Sequence, residues 1–202
     1  MKKMLILLAL FLMGGLTAGA QEQPKVEAFL GYSYVRFIPP SSSGVPSFGL
    51  NGGSVSITYN PLAALGFVAD IGGYRAGNIA GAPVSLNMYT YMFGPTVTAN
   101  LGRSAVFAHA LFGQAHSSLG AGVNIPVIGG ISTGLTSATA FAMAFGGGVD
   151  IGLTRHLAIR AAQVDYLRTQ FSATDALTTG LSSSLGNRQN TFRYSAGIVF
   201  RF

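Results

Sequence analysis

The chain of 202 residues contains no cysteine and no tryptophan, and only 9% of its residues are charged. Without cysteine, neither disulfide bonds nor a lipid anchor on an N-terminal cysteine can form. The charged share is far below the usual quarter of a globular domain, while 49% of the residues are hydrophobic and the mean hydropathy is +0.45. Such a composition is typical of a membrane protein rather than of a soluble domain.

The body of the chain also lacks a long hydrophobic run. A membrane helix needs about 20 consecutive apolar residues, and beyond residue 20 the apolar residues are interrupted every second or third position by Gly, Ser, Thr or Asn. The one continuous run lies at the start, where Lys2 and Lys3 precede an apolar segment that ends at the small residues Ala18 and Ala20. This order predicts a cleaved secretory signal peptide over residues 1–20, followed by a single domain over residues 21–202.

Clusters of basic residues are missing as well. Residues 21–202 carry ten Lys and Arg against six Asp and Glu, a net charge of +4, and no two of the basic residues are adjacent. Nucleic-acid surfaces need clustered basic residues with aromatic side chains between them, so no nucleic-acid partner is expected. The His, Asp and Glu residues do not show the spacing of a metal site, and no motif indicates a cofactor. We expect neither.

What the chain does contain is an alternation of period two in eight segments, the pattern of β-strands. Several segments run ten residues or more, a length that spans a bilayer at a tilt. The face opposite the large apolar side chains holds small residues, which fits the crowded interior of a small barrel. The predicted strands are Lys25–Phe37, Gly53–Asn60, Leu65–Arg75, Leu86–Ala99, Ala105–Ser117, Ala138–Leu153, His156–Phe171 and Thr191–Phe202.

The links between these strands alternate in length. Those after the odd-numbered strands are long, whereas the other three are tight turns. Alternating links, an even strand number and both termini on the short-turn side form the pattern of outer-membrane barrels. The prediction is an all-β fold, namely an eight-stranded antiparallel up-and-down transmembrane β-barrel in the cell outer membrane. The long links cover about residues 38–52, 76–85, 118–137 and 172–189, and the turns residues 60–64, 100–104 and 154–156.

With strands, signal and C-terminus taken together, residues 25–202 resemble the small outer-membrane β-barrels of the OmpA/OmpX type. A peptidoglycan-binding domain after the barrel, frequent in OmpA-type proteins, is not expected here, so cell-wall tethering is not implied. The stretches that carry the resemblance are V-E-A-F-L-G-Y-S-Y-V-R-F (26–37), M-F-G-P (92–95), G-G-G-V-D-I-G-L-T-R-H-L-A-I-R (146–160), Q-V-D-Y (163–166) and the closing strand.

The resemblance also implies partners. In that family, a terminal Phe with apolar residues two and four positions before it resembles the sorting signal that the barrel-assembly machinery reads. The matching residues here are Phe202, Phe200 and Ile198. The barrel-assembly machinery and the outer-membrane lipids are therefore implied as partners, and the protein is expected to be a monomer.

Charged residues within the strands are predicted to point into the barrel, because a charge that faces lipid at the midplane costs about 2–4 kcal/mol. Asp165 is included because it resembles the family's inward acid before a Tyr. The others are included because they alternate with the large apolar residues of their strands. The two interpretations are a gated polar pore and a structural plug, and the narrow interior of eight strands favours the plug. The predicted interior ion network consists of Glu27, Asp70, Asp150, Asp165, Arg193 and Arg201.

Some directions stay open in the sequence. Arg160 is out of phase with Asp165, so that a bulge lies between them or one of the two sits at a rim. The fifth strand is apolar on both faces, which leaves the direction of His109 undecided. Ten aromatic residues are predicted to form girdles at the membrane interfaces. They are Tyr32, Tyr34, Tyr59, Tyr89, Tyr91, Phe107, Phe141, Phe145, Tyr194 and Phe202.

Three functions compete. The favoured one is a structural or surface-interaction protein whose long links contact an extracellular ligand, and residues 119–135 are uncharged and rich in Val, Ile and Gly. The second is a narrow porin-like channel or a carrier of small hydrophobic molecules. The third is a lipid A-modifying enzyme, for which Ser118 offers a nucleophile and His116 a base. Because no acid follows within thirty residues of Ser118, we expect no catalytic residue and no enzyme.

Overall fold

The computed structural model describes residues 24–38, 47–77, 84–121, 136–170 and 188–202, and the predicted signal peptide lies outside them. Each strand pairs antiparallel with the next, and the last pairs with the first to close the barrel. The predicted eight-stranded all-β barrel is therefore confirmed. Its strands are β1 (Val26–Ile38), β2 (Phe48–Tyr59), β3 (Leu65–Ala76), β4 (Val84–Leu101), β5 (Ser104–Ala121), β6 (Thr136–Gly152), β7 (Leu157–Gln170) and β8 (Arg188–Arg201).

The seam between β8 and β1 is closed over its whole length. Tyr34 lies opposite Tyr194 near its middle, and Glu27 lies opposite Arg201 near one end. Beyond that pair, the backbone NH of Phe202 donates to the carbonyl of Val26 at 2.9 Å, and the carbonyl of Phe202 accepts from the NH of Val26 at 3.3 Å. Every strand thus has two neighbours, which leaves the described sheet without a free edge.

The two ends of the barrel differ in their connections. At one end lie the start of β1, the end of β8 and the short links 60–64, 102–103 and 153–156, with Gly102 in the left-handed region at φ 68°. At the other end the strands are separated by residues 39–47, 77–83, 122–135 and 171–187. We name these the turn end and the loop end. In outer-membrane barrels the short turns are periplasmic and the long links extracellular.

The outer face of the barrel is apolar. Phe93, for example, is 69% exposed, and similar residues alternate with buried ones along every strand. Among the described residues, no helix is long and apolar enough to cross a membrane. An apolar belt of this extent is what a strand-built membrane span presents to lipid. Its larger members include Leu30, Tyr32, Val55, Ile57, Phe67, Ile71, Tyr91, Phe93, Phe112, Phe145, Ile159, Val164, Ile198 and Phe200.

Several strands are longer than predicted. The longest extensions, those of β2 and β5, lie at the loop end. β2 begins at Phe48 rather than Gly53, because Leu50 and the surrounding glycines pair with β1 instead of turning away. Gly49 lies against the Tyr34 ring, where a larger residue would collide with it. β5 reaches Ala121, so the first four residues of the predicted long link 118–137 extend the barrel wall.

One predicted girdle residue was placed wrongly. Phe107 is 8% exposed and faces the interior, because β5 turns Ala105, Phe107, His109 and Leu111 inward. The sequence of β5 could not show this, since both of its faces are apolar. The other nine predicted girdle residues face outward, with Tyr34 half-buried.

Candidate functional site

The centre of the interior is a single guanidinium that joins three strands. Arg193 on β8 is 1% exposed. Its Nε donates to Oδ2 of Asp165 on β7 at 2.7 Å, and its Nη1 donates to Oδ1 of Asp70 on β3 at 2.6 Å. Nη1 also donates to the hydroxyl of Tyr74 at 3.1 Å. The cation therefore neutralises carboxylates on opposite sides of the lumen, as two buried acids require.

Asp165 is fully buried and surrounded by donors. Besides Arg193, the Nε2 of Gln163 donates to its Oδ2 at 2.8 Å, and the Nε2 of His109 lies 2.8 Å from its Oδ1. Gly146 on β6 lies opposite Asp165, and a Cβ at that position would overlap the carboxylate. The glycine therefore makes room for the acid, which gives one member of the Gly146–Gly148 run a packing role.

A second ion pair lies nearer the turn end. The Nε and Nη2 of Arg160 donate to the two carboxylate oxygens of Asp150 at 2.8 and 3.0 Å, a bidentate geometry. The Arg160 guanidinium carbon lies 4.5 Å from the ring centre of Phe29 and 4.2 Å from that of Phe107. Two aromatic faces thus hold the cation in position while Asp150 neutralises it.

A bulge allows Arg160 and Asp165 to face the same side. The register of β7 against β8 shifts between Arg160 and Gln163, and the register of β6 against β7 shifts between Val149 and Asp150. The extra residue in β7 reverses its alternation, so Arg160, Gln163 and Asp165 all point inward. Of the two possibilities that the sequence left open, the structure contains the bulge.

Gln163 connects the two ion pairs. Its Oε1 accepts from Nη1 of Arg160 at 2.9 Å, while its Nε2 donates to Asp165. The third pair stands apart at the turn end, where Nε of Arg201 donates to Oε1 of Glu27 at 3.0 Å. All six residues of the predicted ion network face the interior. The structure joins four of them through Arg160 and Gln163, and it leaves Glu27 and Arg201 as a separate pair.

The sequence interpretation missed five contributors to this network. Gln163 and Tyr74 had no distinguishing signal, because uncharged polar residues in strands are common. His109 and Phe107 lie on the strand whose direction was ambiguous. A usable signal existed for Arg160, since an inward Arg that is out of phase with Asp165 requires an extra residue between them.

The loop-end half of the interior is apolar. Leu50, Leu111 and Val35 are fully buried in it, and Leu167 is 1% exposed. Phe48 and Leu86 pack against the cluster from the loop end. The complete cluster comprises Val35, Phe37, Leu50, Val68, Tyr74, Ala76, Met88, Met92, Leu111, Ala115, Ala142, Ala144 and Leu167.

A small cavity lies on the turn-end side of Arg193. Its volume of ≈ 20 Å³ is sufficient for about one ordered water. Its lining includes both hydroxyl groups and acidic and basic side chains, so a water there would find several partners. The polar lining residues are Glu27, Ser56, Thr58, Asp70, Thr96, Thr98, His109, Asp150, Arg160 and Gln163.

The other two histidines, one of which was considered for catalysis, lie outside this network. His116 faces outward from β5, and its Nδ1 is hydrogen-bonded to the hydroxyl of Thr139 at 2.9 Å. His156 lies in the link before β7, with its Nδ1 3.1 Å from the carbonyl of Arg201. Within the described ranges, no three His, Cys, Asp or Glu residues gather as metal ligands would.

Comparisons with known proteins support the same architecture. The family model described as "Outer membrane protein beta-barrel domain" matches residues 5–202. No curated protein sequence matches the chain. The structure is similar to that of Ail, the attachment invasion locus protein of Yersinia pestis, in complex with the heparin analogue sucrose octasulfate. Identity is 15% and the TM-score 0.56, over 89% of this chain and 99% of that chain.

Two further solved structures are similar. Neisserial surface protein A shares 12% identity with a TM-score of 0.61, over 88% of this chain and 97% of that chain. The outer membrane protein OprG from Pseudomonas aeruginosa shares 12% identity with a TM-score of 0.50, over 89% of this chain and 97% of that chain. At such identities the likeness concerns the fold alone.

Proposed function

The chain belongs to the outer membrane protein β-barrel domain family and is located in the outer membrane, and on this premise we propose that it is a structural and surface-interaction protein. Its barrel is closed by its own side chains and serves to anchor the long links of the loop end. The interior supplies rigidity rather than a conduction path.

The observation that carries this proposal is the double closure of the lumen. An ion that entered from the turn end would pass the Glu27–Arg201 and Asp150–Arg160 pairs. It would then meet the Arg193 cross-link between Asp70 and Asp165. Beyond it lies the apolar cluster around Leu50 and Leu111, whose Leu, Val, Met and Ala side chains cannot replace an ion's hydration shell. The lumen of eight strands is just wide enough for side chains, and here they fill it.

A liposome-swelling assay tests the proposal. Vesicles that contain the refolded wild-type protein are placed in isotonic solutions of arabinose, glycine or potassium chloride. We expect swelling no faster than in protein-free vesicles, because neither closure admits a hydrated solute. Swelling that depends on solute size and on the amount of protein would contradict the proposal and favour the channel.

The channel remains the second candidate because of one observation. The turn-end half holds a cavity with a polar lining, including Glu27, Asp150 and Ser56, and it could admit water as far as Arg193. Conduction would require the apolar cluster to part. The swelling assay distinguishes the two functions, since a closed barrel with a wet turn end transports nothing.

The surface role rests on the loop end. We propose that residues 39–46, 122–135 and 171–187, all outside the described residues, contact an extracellular ligand. Their length and their place in the topology support this. The Ail structure contains a heparin analogue, and a sugar or other surface molecule is a comparable ligand class. Because every described strand edge is paired, we propose that the protein acts as a monomer.

We also propose that it is not an enzyme. His116 and Ser118 face outward from β5, but the acids of the described residues face the lumen, so no carboxylate supports a histidine base there. Incubation of lipid A with the protein, followed by mass spectrometry, is expected to show unchanged acylation. Loss or gain of an acyl chain would overturn this part.

The C-terminal residues are proposed to be the assembly signal. Phe202, Phe200 and Ile198 all face outward, with exposures of 70%, 43% and 46%, which leaves them accessible to the barrel-assembly machinery. Deletion of Phe202 is expected to reduce the heat-modifiable, folded form in cells while refolding in detergent stays intact. Equal loss in both settings would mean that Phe202 acts only in stability.

A further inference from the structure

Acidic and basic side chains are segregated between the two faces of the barrel wall. In the described ranges, the four acids Glu27, Asp70, Asp150 and Asp165 all face the lumen. Charged side chains on the outer face of the described strands are arginines only. The lipid-facing surface is therefore cationic wherever it is charged, and no acid on it neutralises those cations.

Three of these arginines lie at the loop end, and we name them the arginine arc: Arg36, Arg75 and Arg168. Arg36 is two residues from the end of β1, Arg75 one residue from the end of β3, and Arg168 two residues from the end of β7. Each alternates with buried neighbours and so points outward. By the topology, this is the depth of the extracellular leaflet's head groups.

The register places the arc on one contiguous side. Arg168 lies opposite Asn190, which lies opposite Ile38, two residues beyond Arg36. With strands about 4.8 Å apart and about 3.3 Å per residue, the Cα atoms of Arg168 and Arg36 are ~12 Å apart. On the other side, Arg75 lies opposite Asn51, which lies opposite Tyr34, two residues before Arg36. Two long arginine side chains can close such a gap around one phosphate group.

Aromatic side chains adjoin the arc on the lipid face. Tyr166 and Phe192 are adjacent, with ring centres 5.6 Å apart, and share a row with Arg36. The hydroxyl of Tyr32 donates to Oδ1 of Asn51 at 2.6 Å on the outer face, as expected at a membrane interface. Cationic groups beside aromatic side chains match a molecule with an anionic head and apolar chains.

Among the described residues, the guanidinium groups of the arc make few hydrogen bonds. Nη2 of Arg36 donates to the hydroxyl of Ser47 at 3.0 Å, while Nε of Arg168 is shielded from solvent and has no hydrogen-bond partner among the described residues. The opposite side of the barrel differs, because the outward polar residues near the loop end of β4, β5 and β6 include Asn87, His116, Ser118 and Thr139, and these three strands contain no Arg or Lys. The cationic surface is thus one-sided.

We propose that the arginine arc binds the phosphate groups of an anionic lipid of the outer leaflet, whose acyl chains pack on Tyr166 and Phe192. Guanidinium groups match phosphate oxygens in bidentate geometry and remain charged at any physiological pH. A phosphorylated glycolipid that carries two phosphates would engage two neighbouring members of the arc.

Native mass spectrometry of the protein in phosphatidylcholine nanodiscs doped with diphosphoryl lipid A tests this proposal. The wild-type protein should retain lipid A above its share in the disc. The variant Arg36→Gln/Arg168→Gln should bind it about 30-fold more weakly, since about 1 kcal/mol per cation near an anionic lipid surface corresponds to about fivefold each. The single variants should lose about fivefold.

The matched control is Arg103→Gln/Arg155→Gln, which removes two exposed arginines from the turn end and changes the net charge equally. It should retain lipid A within twofold of wild type. Equal loss in both double variants, or unchanged binding in the arc variant, would overturn the proposal. If the arc double variant fails to show heat-modifiable folding, lipid A retention by the single variants and by Arg36→Lys/Arg168→Lys is compared with that of the control instead.

Discussion

The two halves of the barrel interior are filled by opposite chemistry. The turn-end half contains the Arg193, Arg160 and Arg201 groups with their acids, whereas the loop-end half is occupied by Leu, Val, Met and Ala side chains. Both halves fill the same narrow lumen, but they are stabilised differently. The polar half depends on directional contacts between named atoms, and the apolar half depends on volume.

This difference determines how each half should fail. Removal of one member of a buried ion pair leaves a charge without a partner, which is more costly than the pair is worth. Removal of methyl groups from the apolar half leaves a cavity whose cost depends on how far the neighbours relax. The four substitutions below compare these two kinds of loss, from the largest expected effect to the smallest.

The largest effect is expected for Arg193→Met. The substitution nearly preserves volume but leaves Asp70 and Asp165 buried without their shared cation. We expect the free energy of unfolding to fall by about 3–5 kcal/mol, measured by urea unfolding of the barrel refolded in lipid vesicles. The triple variant with Asp70→Asn and Asp165→Asn should recover much of that loss. No recovery would mean that Arg193 acts through packing rather than charge.

The next effect is expected for Leu50→Ala in the apolar half. Leu50 is fully buried in the cluster, so its truncation should cost about 3 kcal/mol in the free energy of unfolding. The control is Leu30→Ala, because Leu30 is 58% exposed on the lipid face and lipid can fill the space. Equal losses at both sites would show that the loop-end half is not closely packed.

A smaller effect is expected for Gly146→Ala. A Cβ at this position would overlap the Asp165 carboxylate and the β7 backbone, which should cost about 2 kcal/mol through displacement of the network. At Gly73 an added Cβ would meet only the Tyr89 ring, at ordinary contact distance, so Gly73→Ala is the matched control and should be close to neutral. Thermal unfolding of both variants measures the difference.

The smallest effect is expected for Glu27→Gln. The Glu27–Arg201 pair lies at the turn end, with side chains 13% and 15% exposed, and it shares no hydrogen bond with the Arg193 network. Partial hydration should limit the loss to about 1 kcal/mol. A loss as large as that of Arg193→Met, in the same urea titration, would show that the three ion groups form one cooperative unit.

The fold could be predicted from the sequence because each of its determinants is local. Strand alternation, such as Val55, Ile57 and Tyr59 against serine and threonine, sets the lipid face, and link length sets the topology. The start of β2 could not be predicted, since its glycines also suit a turn. Only the pairing of Gly49 with Arg36, beside the Tyr34 ring, shows that the strand continues there.

The interior was partly predictable for the same reason. Phase alone placed Asp70, Asp150 and Arg193 inside, but it could not show which acid each arginine would meet, because those contacts cross the lumen between strands distant in sequence. Phe107 faces inward together with the alternate residues of β5, and its contact with the Arg160 guanidinium needs the β7 bulge. Long-range partners of this kind have no local signal.

Single-channel recording in a planar lipid bilayer tests most directly whether the interior is closed. The refolded wild-type protein is expected to give no discrete openings in concentrated potassium chloride, at either polarity, because ions cannot cross both the Arg193 cross-link and the apolar half. Discrete openings of the wild-type protein that Arg193→Ala or Asp150→Ala abolishes would contradict the closed barrel and show that the ion network forms a conducting path.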